Sequence, residues 1–117
     1  MYGRLAAMAW TPWRKIGDRI AWYVDHCLRI PVCYELSLAS PYDQAEPEVV
    51  FVGAAVSEAS ELERFDKGEH PCQAQAEAAI AKDLAVYYRA RGAPSLEQAQ
   101  AFRDEVLAER DGLAWLS

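Results

Sequence analysis

The 117-residue sequence has few of the features that mark membrane, secreted or nucleic-acid-binding proteins. Its longest apolar run without a charge, Val49 to Val56, is 8 residues long, whereas a membrane-spanning helix needs about 20. The apolar stretch that follows Arg4 is too brief for a secretory signal. The cysteines are sparse and odd in number, Cys27, Cys33 and Cys72, which favours free thiols in a reducing compartment. We therefore expect a cytoplasmic protein that does not contact a membrane.

The charge balance is acidic overall and uneven along the chain. The formal net charge is −6, yet residues 1–31 carry five basic side chains against two acidic ones. Residues 32–117 carry seven basic side chains against sixteen acidic ones. A protein that holds nucleic acid by neutralising phosphates usually presents a basic stripe. Only the amino-terminal segment offers one, so the charge pattern argues against an extensive nucleic-acid surface.

The composition is that of an ordinary globular domain. Hydrophobic residues make up 52% of the chain and charged residues 26%, which is close to the average for soluble domains. No internal repeat, linker or low-complexity tract divides the sequence. A chain of this length can bury a core of its own, so we assign residues 1–117 to a single domain.

Two short apolar segments predict a β-hairpin at the centre of the fold. Residues 31–38 and 48–53 are rich in β-branched and aromatic side chains and are flanked by turn formers, which is typical of strands. The segment between them is short, so an antiparallel pair is the simplest arrangement. The second strand has almost no polar face, which predicts a position in the middle of the sheet.

Helices and a third strand are predicted around this hairpin. Thr11, followed by a proline, is a typical N-cap for a helix whose apolar side chains recur as far as Cys27. Ser57 or Ser60 can cap a second helix that ends near Gly68. The remaining predicted elements are a helix over residues 74–82, a strand over residues 84–88, and a helix from Ser95 to about Arg110. This order predicts an α/β (α+β) fold in which a small three-stranded antiparallel or mixed sheet is flanked by helices.

The hairpin resembles the two signature strands of the GIY-YIG nuclease family. Val32-Cys33-Tyr34 and Phe51-Val52-Gly53 stand where that family carries one tripeptide on each strand. The family has an arginine on the helix that follows, and Arg64 fits that position. A third strand and a closing helix follow in the family's order, so the resemblance covers roughly residues 10–117. It implies a GIY-YIG-like fold and metal-dependent hydrolysis of a phosphodiester in DNA or RNA.

The resemblance implies a role for each matched residue. Tyr34 would be the base for the attacking water, Arg64 the phosphate clamp, and His70 a polar partner beside them. Phe51 and Gly53 would contribute to substrate binding. A tyrosine with an ordinary pKa of ~10 is a poor base at neutral pH. Tyr34 therefore needs a nearby cation, and Arg64 is the natural candidate.

The resemblance also implies a divalent ion, Mg²⁺ or Mn²⁺, held by a carboxylate of the last helix. Glu105 is the first candidate for that carboxylate, and Asp104 or Glu77 are alternatives. The inward-facing position one turn before Val106 is Arg103, a cation that would repel a metal. A metal site on this helix therefore requires a carboxylate next to that position to face inward.

A non-catalytic interpretation is open beside the catalytic one. Phe51 lacks the hydroxyl of the family's second tyrosine, Tyr34 can be an ordinary core tyrosine, and Arg64 can belong to a surface salt network. Residues 43–69 hold eight acidic and two basic side chains, which would repel a phosphate unless a metal compensates. The alternative function is an acidic protein-interaction module, an adaptor or inhibitor, on the same fold. Its partner would be a protein, whereas the active enzyme would bind nucleic acid.

Overall fold

An antiparallel sheet of four strands organises the part of the chain that the computed structural model describes, which comprises residues 10–16, 27, 29–39, 48–110, 113 and 115. The strands are β1 (Arg14–Lys15), β2 (Val32–Ala39), β3 (Glu48–Ala55) and β4 (Ala85–Gly92), and the helices are α1 (Glu58–Asp66), α2 (Gln73–Ala81) and α3 (Leu96–Glu109). The strand order is β1-β4-β2-β3, and every neighbouring pair is antiparallel. The predicted α+β class with a small antiparallel sheet is confirmed. The predicted count of three strands is wrong, because the described residues form four.

The predicted hairpin of β2 and β3 is confirmed, but β2 is one of the two inner strands of the described sheet and β3 is an edge strand. Tyr34 lies opposite Gly53 in β3 and opposite Ala90 in β4, so β2 has a neighbour on each side. The prediction that the second strand of the hairpin lies in the middle of the sheet is therefore wrong. That strand is apolar for another reason: helices cover both faces of the sheet, so Val50 and Val52 are buried although β3 pairs with β2 alone among the described strands.

The segment of residues 10–16 forms an outer edge of the sheet and does not begin a helix. The Thr11 amide donates to the carbonyl of Ala90 at 2.8 Å, and the Thr11 Oγ1 accepts from the Ala90 amide at 2.9 Å. The Ile16 amide donates to a β4 carbonyl at 2.8 Å. The predicted N-cap at Thr11 is wrong, because the amide and the hydroxyl of Thr11 form hydrogen bonds with the backbone of β4 instead. Residues 17–26 of the predicted helix lie outside the described residues.

Two of the predicted helix caps are confirmed. α1 begins after Ser57, whose Oγ accepts a hydrogen bond from the Ser60 amide at 3.0 Å. α3 begins after Ser95, whose Oγ accepts from the Gln98 amide at 3.1 Å. Gly68 follows α1 with a φ of 72°, a left-handed conformation that favours glycine. None of the helices in the described ranges is long and apolar enough to cross a membrane.

The helices divide between the two faces of the sheet. Neighbouring side chains of a strand point to opposite faces, so Tyr34 and Cys33 lie on opposite sides of β2. α1 and α2 cover the Tyr34 side, which we call the α1/α2 face; its core includes Val32, Leu36, Leu62, Phe65 and Ala76. α3 covers the Cys33 side, which we call the α3 face; its core includes Val52, Ala99 and Phe102. The candidate site lies on the α1/α2 face.

Candidate functional site

Tyr34 is the centre of the candidate site and is enclosed by the hairpin. The residue is 4% exposed. A Cβ atom added to Gly53, directly across the sheet, would lie 2.7 Å from both the Cζ and the hydroxyl oxygen of Tyr34. Real side chains do not approach so closely, so the phenol ring needs a glycine as its cross-strand neighbour. The pairing of Tyr34 with Gly53 is therefore a packing requirement of the buried ring.

His70 lies beside the phenol and is held in one tautomer. Its Nδ1 atom accepts a hydrogen bond from the amide of Cys72 at 2.9 Å, so Nδ1 carries no proton and Nε2 is the donor. Nε2 is 3.0 Å from the hydroxyl oxygen of Tyr34 and also contacts the carboxylate of Glu61. The ring of Phe65 stacks on the imidazole, with centroids 3.9 Å apart. The structure places His70 in contact with both Tyr34 and Glu61.

Glu61 completes the site, although its place in an acid-rich segment suggested a surface residue. It is 5% exposed. Its carboxylate contacts His70, and its charge raises the pKa of Tyr34. The signal that could have revealed it is helical spacing. Positions 61, 62 and 65 share one side of a helix, and Leu62 and Phe65 are apolar. A glutamate on that side must face the core.

Arg64 lies at the rim of the site and not against the phenol. Its side chain is 46% exposed, and its Nη1 atom is 3.5 Å from the carboxylate of Glu61. Burial raises the pKa of Tyr34 well above its ordinary value, the Glu61 charge raises it further, and Arg64 lowers it by less. Glu61 raises the pKa of Tyr34 by more than Arg64 lowers it, so the phenol stays protonated at neutral pH. This is the opposite of what a tyrosine base requires.

Phe51 forms an aromatic wall beside the phenol. Its ring centroid is 5.9 Å from that of Tyr34 and 5.9 Å from that of His70. The contact with the imidazole is edge-to-face, with 81° between the ring planes, which is a favourable aromatic geometry. The two residues predicted to bind substrate, Phe51 and Gly53, therefore both adjoin the tyrosine ring and help to close it off from solvent.

The three carboxylates predicted to bind a metal lie away from this site. Glu105 and Asp104 are exposed residues of α3, which packs on the face opposite Tyr34. Glu77 is exposed on α2 and accepts a hydrogen bond from Gln73 at 3.2 Å. Among the described residues, no group of three or more His, Cys, Asp or Glu side chains could hold a metal ion. The sheet lies between the α3 carboxylates and the phenol, whereas Glu77 lies on α2, on the same face as Tyr34. Binding of Mg²⁺ or Mn²⁺ stays a prediction.

A second buried carboxylate repeats the pattern one turn earlier on α1. Glu58 is 2% exposed, and its Oε1 accepts hydrogen bonds from Arg14 at 2.8 Å and from the Tyr88 hydroxyl at 3.1 Å. Burial raises the pKa of Tyr88, as it does for Tyr34. A small cavity lies between α1 and the sheet, and both glutamates and both tyrosines are among the residues that line it. The inner side of α1 thus presents two carboxylates to two phenols.

Comparisons of the chain with protein-family models, with curated proteins and with solved structures find no match. The function must therefore be inferred from geometry and charge. The site consists of a phenol, an imidazole and a carboxylate that contact one another and are closed off by aromatic rings. Such a network is suited to holding the hairpin against α1, because it joins side chains of β2, of α1 and of the segment that follows α1.

Proposed function

We propose that this chain has a GIY-YIG-like fold without phosphodiester hydrolysis, and that it acts as a protein-interaction module, an adaptor or inhibitor. The observation that carries the proposal is the burial of the Tyr34 hydroxyl between Glu61 and His70. The likeness in fold is supported by the element order from β2 to α3, which is strand, strand, helix, helix, strand, helix.

A hydrolytic role for Tyr34 meets two physical obstacles. A base must lie within hydrogen-bond reach of the attacking water, whereas this hydroxyl is buried and hydrogen-bonded to His70. A phosphate clamp must offer its charge to the phosphate, whereas the guanidinium of Arg64 is 3.5 Å from the carboxylate of Glu61. A phosphodiester placed between Tyr34 and Arg64 would approach a negative charge. The resulting repulsion opposes substrate binding.

A protein partner suits the charge of the exposed surface. The chain carries a formal net charge of −6. Exposed acidic side chains lie on or beside α1 and on α3: Glu63, Asp66, Glu69, Glu97, Asp104, Glu105 and Glu109. These acidic side chains lie on both sides of the sheet, and on either side they attract a basic protein surface and repel the phosphate backbone of nucleic acid. We therefore expect the partner to be a protein with a positively charged face.

A nuclease is the second candidate, and one observation favours it. Tyr34, His70 and Arg64 gather on a single face of the sheet and are linked through Glu61. A rearrangement that withdraws this carboxylate would leave a phenol and a guanidinium in one pocket. In that state the pair could act on a nucleic-acid phosphodiester as the resemblance implies.

Nicking of supercoiled plasmid in the presence of Mg²⁺ or Mn²⁺ tests the choice. The wild-type chain is compared with Tyr34→Phe, Arg64→Ala and, as a control on the same helix end, Lys67→Ala. We expect none of the four proteins to cut plasmid above the buffer background, and none to retard it in a gel at physiological salt. Cutting by wild type and Lys67→Ala that disappears in Tyr34→Phe and Arg64→Ala would overturn the proposal. Retardation without cutting would replace the protein partner with nucleic acid.

A further inference from the structure

Glu35 is a buried carboxylate on the α3 face, away from the candidate site. It lies on the inner strand β2, and its neighbour across the ladder in β4 is Arg89. The residue is 0% exposed. A carboxylate taken fully out of water is retained as a charge only when cations and hydrogen bonds compensate for its lost hydration. The residues that compensate Glu35 are therefore held strongly to the centre of the sheet.

Two arginines from distant parts of the chain supply that compensation. Arg89 reaches the Oε1 atom of Glu35 with both Nε and Nη2, each at 2.6 Å. Arg110 reaches the Oε2 atom with its Nη2 at 3.2 Å. Arg110 is the C-cap of α3. One carboxylate therefore ties the end of that helix to the middle of the sheet.

The arginine on β4 also contacts the amino-terminal segment of residues 10–16. The guanidinium carbon of Arg89 lies 4.7 Å from the ring centroid of Trp10 and 4.5 Å from that of Trp13. Indole rings attract a guanidinium through cation–π contacts and stacking. The two bonds to Glu35 fix the plane of this guanidinium, and the plane fixes where the indoles can stack. The stacking of Trp10 and Trp13 therefore depends on the same carboxylate as the end of α3.

We infer that Glu35 is a shared electrostatic latch that holds residues 10–16 and the carboxyl end of α3 against β2, so that removal of its charge loosens both. These two segments lie at opposite ends of the described chain and share this one anchor. The two attachments are separate, because Arg89 contacts the first segment and Arg110 belongs to the second. A partner or modification that removes one arginine from the carboxylate would loosen one segment and leave the other attached.

Hydrogen exchange of individual amides measures the two segments independently. The amides of Thr11 and Ile16 donate to β4 carbonyls and report on residues 10–16. The amide of Arg110 donates to the carbonyl of Leu107 at 3.3 Å and reports on the end of α3. The variant Glu35→Gln keeps the size of the side chain and removes its charge. We expect exchange at all three amides to accelerate on the order of tenfold or more, because the variant loses the charge-assisted hydrogen bond with Arg89 and the ion pair with Arg110.

Three further variants separate a shared latch from general loosening. Arg110→Gln should accelerate exchange at the end of α3 alone, and Arg89→Lys, which lacks the planar fork, should accelerate it at Thr11 and Ile16 alone. Glu109→Gln, an exposed neighbour on α3, should change neither. Acceleration of only one segment in Glu35→Gln would overturn the inference. So would acceleration of both segments in Arg110→Gln or in Arg89→Lys, and these two variants decide the matter if Glu35→Gln does not fold.

Discussion

Replacement of Gly53 by alanine tests how tightly the phenol of Tyr34 is held. The added methyl group would lie 2.7 Å from two atoms of the phenol, roughly 0.8 Å inside the ~3.5 Å at which carbon atoms begin to fit. The ring cannot move aside easily, because it is 4% exposed and its hydroxyl is hydrogen-bonded to His70. Overpacking of a core costs about 1–3 kcal/mol, and we expect Gly53→Ala to lie at the upper end of that range. Urea unfolding at neutral pH, followed by circular dichroism, measures the loss.

The same substitution made in the Tyr34→Val variant separates the contact with the phenol ring from other effects of alanine. In Tyr34→Val the clashing ring atoms are absent, so Gly53→Ala should be neutral or should stabilise the chain by up to ~1 kcal/mol, since alanine loses less backbone entropy than glycine. The coupling free energy between the two positions should therefore be about 2 kcal/mol or more. An equal effect of Gly53→Ala in both backgrounds would refute the packing account of this pair.

Three further outcomes follow from the buried groups and the caps. The free energy of unfolding should fall between about pH 8 and about pH 10. The Cys33 and Cys72 thiols have a pKa of 9.0 in the unfolded chain, whereas burial raises it to about 12 and about 11 in the folded chain. At alkaline pH the unfolded state therefore binds fewer protons than the folded state, and equal free energies of unfolding from urea titrations at the two pH values would contradict this. A thiol reagent should modify the half-buried Cys27 first and the two buried thiols only on unfolding; fast reaction of all three in the folded chain would be inconsistent with their burial. Ser95→Ala should lower the free energy of unfolding by ~1 kcal/mol, since it removes the cap on the Gln98 amide, and an unchanged urea midpoint would disprove that contribution.

Local patterns predicted much of the fold because its hairpin and caps are local structures. The strands around Tyr34 and Val50, and the caps at Ser57 and Ser95, follow from residue types within a few positions of each other. The edge strand β1 does not, because Thr11 binds the backbone of a strand far along the chain. A local cap signal cannot compete with such pairing once the sheet has formed. The predicted position of β3 in the middle of the sheet is wrong, because an apolar strand indicates that both of its faces are buried and not that it has a neighbouring strand on each side.

The structure brings together some of the residues predicted for the candidate site. Tyr34 and His70 are in contact, and Arg64 lies near them. Sequence reasoning missed Glu61, because the number of acidic residues in a segment does not show which side of a helix each one occupies. Its side chain is placed by α1 packing on the sheet, and that placement sets the sign of the pKa change at Tyr34. The carboxylates of α3 could not be excluded in advance, since a sequence does not state which face of the sheet a helix covers.

The ionisation of Tyr34 is the most direct test of the proposed loss of hydrolysis. The phenolate absorbance of wild type minus that of Tyr34→Phe, followed over alkaline pH, reports this one phenol. The same difference in the urea-unfolded chain should show ionisation near ~10 and serves as the internal control. We predict that the folded chain shows no Tyr34 phenolate at that pH, because burial and Glu61 both raise the pKa. Ionisation at or below the value of the unfolded chain would contradict the account and restore Tyr34 as a candidate base.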